Sequence, residues 1–582
     1  MNKTFSLRNS HALVMGALLI ALANAELFST RVAVKWDAFD EMWAYFRWLG
    51  SALRQGAFPD FFPHIMSGYP IGSNIQAGVY NVFYLAFAYA FPDSVLSINL
   101  VYLALQLVIF RLGFAIGKSY GLDALCSLYL GLALTASGFI IGHASHFSYL
   151  STACGLLGCF LALRMALQRR AGAAFLLCFV SVYHMLTAGY PANILFGAQC
   201  LAAYWVCLFV TQAEARRALL TAVAGVAAGA VIGAPSIWHF VNLLQQSTRG
   251  AGLDIDTAMS GSLPLYGVAN FFFPVWKMGF SELTIERFHL LFLSIPLVAC
   301  AIWMAPSRGA DGKRILLFFV LAVLMTVLAL GKNSPLPLRV WLAEHLFIYR
   351  AGRFPSGEHR GIALFLLALV SAFGLQWIQE RYPAKKKVLV ALLALDFLVV
   401  MVALRGMRIG GIDEQFRAMQ PMFQATFSAG DQARLDKARD CTPDGEPWQL
   451  TAIAIQRERL APANFYWNGY VGLRDQVYDQ GRESDTDLVC GPSRLRDAAT
   501  RAARPYALET YTPGYIRLRI KDNGMPASRL IWTEYDDGFW RLKINGKPAV
   551  LEHGTARFRI FSAGSGDVIE MTYAGPLSRL WR

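Results

Sequence analysis

The sequence predicts a polytopic α-helical membrane protein with a C-terminal β-sandwich-like domain outside the cytoplasm. Three observations carry that prediction. Of 582 residues, 55% are hydrophobic and only 16% charged, against roughly 45–50% and about 25% in an ordinary soluble domain, and the mean hydropathy is +0.39. Eleven apolar runs are each close to the length, about 20 residues, that a membrane-spanning helix needs. After residue 405 hydrophobicity falls, and from Tyr515 strand-like alternation sets in.

The eleven runs lie at 11–29, 95–116, 121–142, 147–167, 171–189, 191–211, 218–240, 287–306, 314–331, 359–379 and 386–405. A twelfth, 79–91, is shorter. Counted as a span, it would throw Arg169/Arg170, Arg216/Arg217, Lys313/Arg314 and Lys385 to Lys387 outside. Read as re-entrant or interfacial, it leaves all of them in the cytoplasm with Lys3 and Arg8, as the positive-inside rule requires. The N-terminus is then inside and the C-terminus outside. The first run, which contains Ala23-Asn24-Ala25 after a basic start, also has the features of a cleavable signal peptide; either way, the residues after Ala25 face outward.

The outer side therefore receives the loops 30–94, 241–286 and 332–358 and everything beyond about 406. The chain divides into three parts: a membrane domain over 1–405, a mixed connector over 406–510, and a β-rich domain over 511–582, with Asn545-Gly546 as a hairpin turn. Cys441 and Cys490 lie in the connector and are expected to pair in an oxidising compartment. The other seven cysteines (126, 154, 159, 178, 200, 207 and 300) sit in apolar runs and behave as small hydrophobes. Gly225, Gly229 and Gly233 form a close-packing face. Asp396 and His184 are intramembrane polar groups, and so functional candidates. Trp532, Phe539 and Trp540 suit a β-sandwich core better than a sugar platform. The excess of 53 Lys+Arg over 39 Asp+Glu records cytoplasmic loops rather than a nucleic-acid partner. No Walker loop, zinc spacing or dinucleotide fingerprint is present.

The chemistry concentrates where KWDAFDEMW follows the first span. A helix over 38–54 fits the apolar pattern Phe39, Met42, Trp43, Phe46, Leu49. It places Asp37 at the N-cap, with Asp40 and Glu41 in the first turn. Two carboxylates at i, i+3 near lipid raise one pKa or recruit a divalent cation, which suits a general base or a metal-assisted site. The competing use is capping by Asp37, with Asp40 and Glu41 complementing the helix dipole. Further on, Gly56, Pro59, Phe61-Phe62-Pro63-His64, Gly68-Tyr69-Pro70-Ile71-Gly72 and Gln76 give defined, ring-lined turns.

This loop, followed in order by SGFIIGHASHFSYL, GAPSIWHFVNLLQQSTR, ALGKNSPL, YRAGRFPSGEHR and the segment GFWRLKINGKPAVLEHGTARFRIFSAGSGDVIEMTYAGP, resembles the YfhO-like bacterial membrane proteins. These belong to the GT-C class of glycosyltransferases that use lipid-linked sugars. The sequence departs from that family at Phe62-Pro63-His64, where a Trp-Asn-Pro is usual. The resemblance implies an inverting transfer from a polyprenyl-phosphate sugar to an envelope glycan or glycolipid. Asp37 would act as base or, with Asp40, as metal ligand. A departing lipid phosphate calls for cations, for which Arg350, Arg353, Arg249, His143 and His146 are candidates; His64 and Gln76 are candidate loop contacts to substrate. The rival readings are a transporter or flippase for a lipid-linked substrate, and a non-catalytic envelope assembly factor. The carboxylates cluster in one loop, and no symmetry between halves appears, which favours the enzyme.

Overall fold

The computed structural model describes residues 7–61, 70–91, 94–211, 215–245, 252–271, 290–350, 352, 354–412, 415 and most of 495–575. It contains two compact units. One comprises Met1–Lys35, Asn99–Ala234 and Gly252–Gly410; the other comprises Trp36–Ile98, Pro235–Ala251 and Gly411–Arg582.

The first unit is helical. Among the described residues seven helical runs are long and apolar enough to cross a membrane: Leu96–Ser119, Ala124–Gly142, Phe147–Leu167, Ala171–Ala188, Leu219–Leu244, Ser294–Asn333 and Pro355–Arg381. Helices Asn9–Ala23, Pro191–Thr211 and Lys386–Ala403 fill three further apolar runs. The chain is a polytopic helical membrane protein. Helix Ala124–Thr135 is buried on every face, as befits a helix apolar all round. Its Tyr129 hydroxyl lies 2.6 Å from Ser294 Oγ and 2.8 Å from Ser371 Oγ. Asp123 caps it, accepting from the Cys126 amide at 2.9 Å and from Lys386 Nζ at 2.7 Å. The ammonium thus ties the start of this helix to the start of Lys386–Ala403.

Local chemistry explains where helices break. The run expected at 121–142 is interrupted at Ser137, whose Oγ turns back to the Leu134 carbonyl at 2.7 Å before the chain restarts as Gly138–Gly142. Asp396 has a structural use: its carboxylate accepts from the Phe292 and Leu293 amides at 3.1 and 2.9 Å, capping helix Ser294–Met304. Gly225 and Gly229 meet helix Ala171–Ala188 so closely that a Cβ would lie 2.8 and 2.7 Å from the Phe175 and Phe179 carbonyl oxygens, the close-packing face their spacing predicts. The run 79–91 gives a helix of nine residues, Val82–Ala90, about 14 Å long and short of the hydrocarbon thickness.

The second unit holds two antiparallel sheets. One has the spatial order Tyr506–Thr512, Tyr515–Ile520, Val568–Tyr573, Trp540–Ile544, Lys547–Ala549. The other runs Leu495–Asp497, Ser528–Tyr535, Phe558–Ala563, Glu552–His553. Asn545 and Gly546, at φ 49° and 77°, form the tight turn between Trp540–Ile544 and Lys547–Ala549, as expected of Asn-Gly. Trp532 and Trp540 are buried in the core, with Phe539 packed against it. The same core takes in Phe61, whose ring meets Trp540 edge-on at 5.0 Å and lies under the Arg559 guanidinium. A loop residue thus completes the hydrophobic interior of the β domain.

Asp497 closes this domain's first strand. Its carboxyl is held well below the ordinary range by the Thr500 amide, then by Ser528 Oγ at 2.8 Å and Arg504 at 3.1 Å. A lowered native pKa stabilises the fold above the unfolded value of about 3.9, and that contribution is lost as pH falls below it. Asp497→Asn is therefore expected to cost about 2 kcal/mol at pH 7 and progressively less below pH ~4. Thermal unfolding of wild type and variant, compared at both pH values, reads this difference.

Candidate active site

The path to the candidate carboxylates is fixed from behind. Asn99 Nδ2 donates to the Leu27 and Val32 carbonyls at 3.1 and 3.0 Å, and its Oδ1 accepts from the Val34 amide at 3.2 Å. The chain leaving the first helix is therefore anchored just before Trp36.

Trp36 itself has φ at 57°. That region is unfavourable for a bulky L-residue, at a cost of order 1–3 kcal/mol, and such strain gathers at functional positions. Asp37 comes next at φ −55°, ψ −28°, already helical, and its side chain makes no capping hydrogen bond. Capping, the competing use of this residue, is thus not the one adopted. A π-helical turn, Ala38–Met42, carries Asp40 and leads into helix Trp43–Arg54; π turns of this kind recur at functional sites because they re-aim side chains. Glu41 accepts from Tyr45 Oη at 2.6 Å, so it is used as a side-chain partner one turn on. Helix Trp43–Arg54 buries Tyr45, Phe46 and Leu49 and packs Phe46 edge-on against Tyr84 of Val82–Ala90 at 5.4 Å. Arg54 closes the pair by donating to the Tyr89 carbonyl at 2.8 Å.

A second constellation in this unit has no sequence spacing to announce it. Tyr80 Oη donates to Asp60 Oδ1 at 3.0 Å and lies 2.7 Å from His239 Nδ1. With the phenol proton directed to Asp60, the tautomer assigned to His239 carries its proton on Nδ1. Nε2 then holds a lone pair, buried and with no hydrogen-bond partner among the described residues. The relay can accept one proton at that atom. Its packing needs glycine: a Cβ on Gly72 would lie 2.9 Å from His239 Nδ1 and 3.0 Å from Tyr80 Oη, and one on Gly575 would lie 2.8 Å from Asp60 Oδ2. Gly72→Ala is expected to destabilise the protein by about 1–3 kcal/mol through this crowding, seen as a lowered melting temperature in detergent. Gln76 belongs to the neighbouring turn Ile75–Ala77, where its amide donates to Asn74 Oδ1 at 3.0 Å.

The remaining candidates divide. His143 is buried, stacks on Tyr149 at 3.9 Å, and bonds through Nδ1 to the Phe139 carbonyl at 2.8 Å. Its Nε2 accepts from Arg360 at 2.7 Å. His146 Nδ1 lies 2.9 Å from Ser145 Oγ, and the two imidazoles are 5.8 Å apart. Arg350 ends the turn Phe347–Arg350, half-buried, its carbonyl accepting from the Leu253 amide. Arg353, Arg249, His64, Cys441 and Cys490 lie outside the described residues. Among the described residues no group of three or more His, Cys, Asp or Glu side chains gathers as a metal-ligand set.

Sequence reading missed the deeply buried guanidinium groups, of which two, Arg360 and Arg339, lie beside the candidate residues of the helical unit. Arg360 holds His143. Arg339 donates to the Tyr349 carbonyl at 2.6 Å and to Glu358 Oε2 at 3.0 Å, with both side chains of the ion pair fully buried. The run Glu358-His359-Arg360 inside YRAGRFPSGEHR was a visible signal, since adjacent charges opening an apolar helix require buried partners.

No protein-family model matches the sequence, and no curated protein matches it. Among solved structures the chain is similar to the arabinofuranosyltransferase AftD from Mycobacteria, at 12% identity and a TM-score of 0.41, over 69% of this chain. The chain spans about a quarter of that protein's length, 27%.

Proposed function

We propose that the protein is a membrane glycosyltransferase of the GT-C type that works on the outer face of a bacterial cytoplasmic membrane. It transfers a sugar from a polyprenyl-phosphate donor to a cell-envelope glycan or glycolipid. The observation that carries this reading is Asp37: a carboxylate placed after a strained Trp36, in helical backbone, and not spent on capping.

In the proposed reaction the acceptor hydroxyl gives its proton to Asp37 as its oxygen bonds to the anomeric carbon. The bond from that carbon to the phosphate oxygen breaks, and polyprenyl phosphate leaves with the electron pair as a dianion. A single displacement inverts the anomeric configuration. Arg350, Arg353 and Arg249 are the cations proposed for the leaving phosphate, where a bidentate guanidinium contact stabilises developing charge. Were a divalent cation used, Asp37 and Asp40 would hold it.

The test is turnover. The purified protein in vesicles is given a panel of polyprenyl-phosphate pentoses and hexoses with envelope glycan acceptors, and release of polyprenyl phosphate is followed by mass spectrometry. Release with sugar-bearing acceptor is the expected result. Movement of intact lipid-linked sugar across the bilayer without cleavage would replace the enzyme with a flippase.

A further inference from the structure

The helical unit contains a narrow apolar crevice. Three helices supply most of its walls, over Thr152–Phe160, Asn193–Tyr204 and Glu358–Leu366, some 12–16 Å of helix axis. Its polar lining is sparse, and the hydroxyls in it are already used. Thr152 Oγ1 donates to the Ser148 carbonyl and accepts from the Tyr190 amide, Ser137 is bound to Leu134, and Tyr204 is paired with Tyr120.

Two oxygens are different. Asn193 Oδ1 and Glu358 Oε1 are buried, belong to residues lining the crevice, and have no hydrogen-bond partner among the described residues. They stand at the same end, since Asn193 Nδ2 donates to the Gly357 carbonyl at 3.3 Å. Buried acceptors without donors are rare and costly. Acceptors at one end of an apolar slot, Asn193 Oδ1 and the Glu358 Oε1 that packs against Gly352, select a ligand by charge. Lone pairs repel a phosphate head. The Arg339 guanidinium, 3.0 Å from the other Glu358 oxygen, already neutralises the carboxylate and repels a cationic head.

We propose that this crevice binds a neutral single-chain lipid alcohol, with its hydrocarbon chain along the slot and its hydroxyl donating to Glu358 Oε1 or Asn193 Oδ1. The site is independent of the proposed sugar transfer, so either can fail without the other.

The experiment uses the full-length protein in detergent and a hexadecanol analogue with a mid-chain diazirine and a terminal alkyne. After photolysis, label is expected on peptides from 152–160 and 358–366. Hexadecanol should compete, whereas hexadecane and hexadecyl phosphate at equal concentration should not. Asn193→Leu should weaken competition by hexadecanol about tenfold, the loss of one hydrogen bond, and Ala153→Phe should block labelling by filling the slot. Equal competition by hexadecane would mean an apolar surface only, and preference for hexadecyl phosphate an anion site. Absence of label from both segments would mean that water satisfies the two oxygens. Each of these three wild-type outcomes overturns the proposal, whatever the folding of the variants.

Discussion

Asp37→Asn is expected to leave the protein folded and to lower sugar transfer by at least about a hundredfold, the usual contribution of a general base. Asparagine keeps the shape of aspartate and removes its basicity. It is also as good an N-cap as aspartate, so a capping role would survive this change while a chemical role would not. Asp37→Ala separates the two further: a cap would cost about 1 kcal/mol, whereas the helical backbone at Asp37 and its lack of a capping bond predict that no such cap term is lost. Trp36→Gly completes the set. Glycine relieves the positive φ at Trp36, so the variant should be as stable as wild type or more so, yet transfer should fall if the strain aims Asp37. Mass spectrometry of the envelope glycans, with membrane levels measured in parallel, reads all three. Full transfer by a well-expressed Asp37→Asn protein would remove Asp37 from the chemistry. An equal loss in Asp40→Asn would make the two carboxylates one unit.

Short spacing encodes the features that were legible in the sequence. Gly225 and Gly229 declare their packing face because four residues make about one helical turn, and Asn545-Gly546 declares its turn because both positions tolerate positive φ. The apolar runs declare their helices through length alone. Contacts of long sequence separation left no such trace. His239 reaches Tyr80 across 159 positions, and the Asp396 carboxylate reaches the Phe292 amide across 104. A polar residue in an apolar helix can signal function or a cap for a distant helix, and only the fold distinguishes them; Asp396 proved to be a cap. Phe61 is a sharper case. Within the loop it reads as one ring among several, yet it lies inside the β-domain core, because the hydrophobic effect rewards burial without regard to chain position. At Asp37, local reading placed the residue correctly at the start of the helix. It left capping open, because a cap is recognised by φ, ψ and its hydrogen bond, which spacing does not reveal.

Arg339→Met is expected to be among the most destabilising substitutions in the helical unit, at about 3–5 kcal/mol, because it strands the buried Glu358 carboxylate without a counter-charge. The guanidinium does three things at once. It neutralises Glu358, satisfies the Tyr349 carbonyl at 2.6 Å, and lies over the Tyr349 and Phe196 rings at 4.7 and 5.3 Å. Glu358→Leu alone should cost a similar amount by stranding the cation. The double variant, Arg339→Met with Glu358→Leu, should be more stable than either single variant, since the desolvation cost of two charges disappears with them and apolar side chains of similar volume fill the space. The double-mutant cycle, read from thermal unfolding of the detergent-solubilised protein, should therefore show strong non-additivity. Additive losses would mean that the two residues do not act as a pair. The cycle also bears on why a charge pair occupies this place, since a hydrophobic pair would serve packing equally well. If the double variant is as stable as wild type but no longer binds a lipid alcohol, the ion pair is retained for the acceptor oxygen that it holds at the end of the apolar crevice.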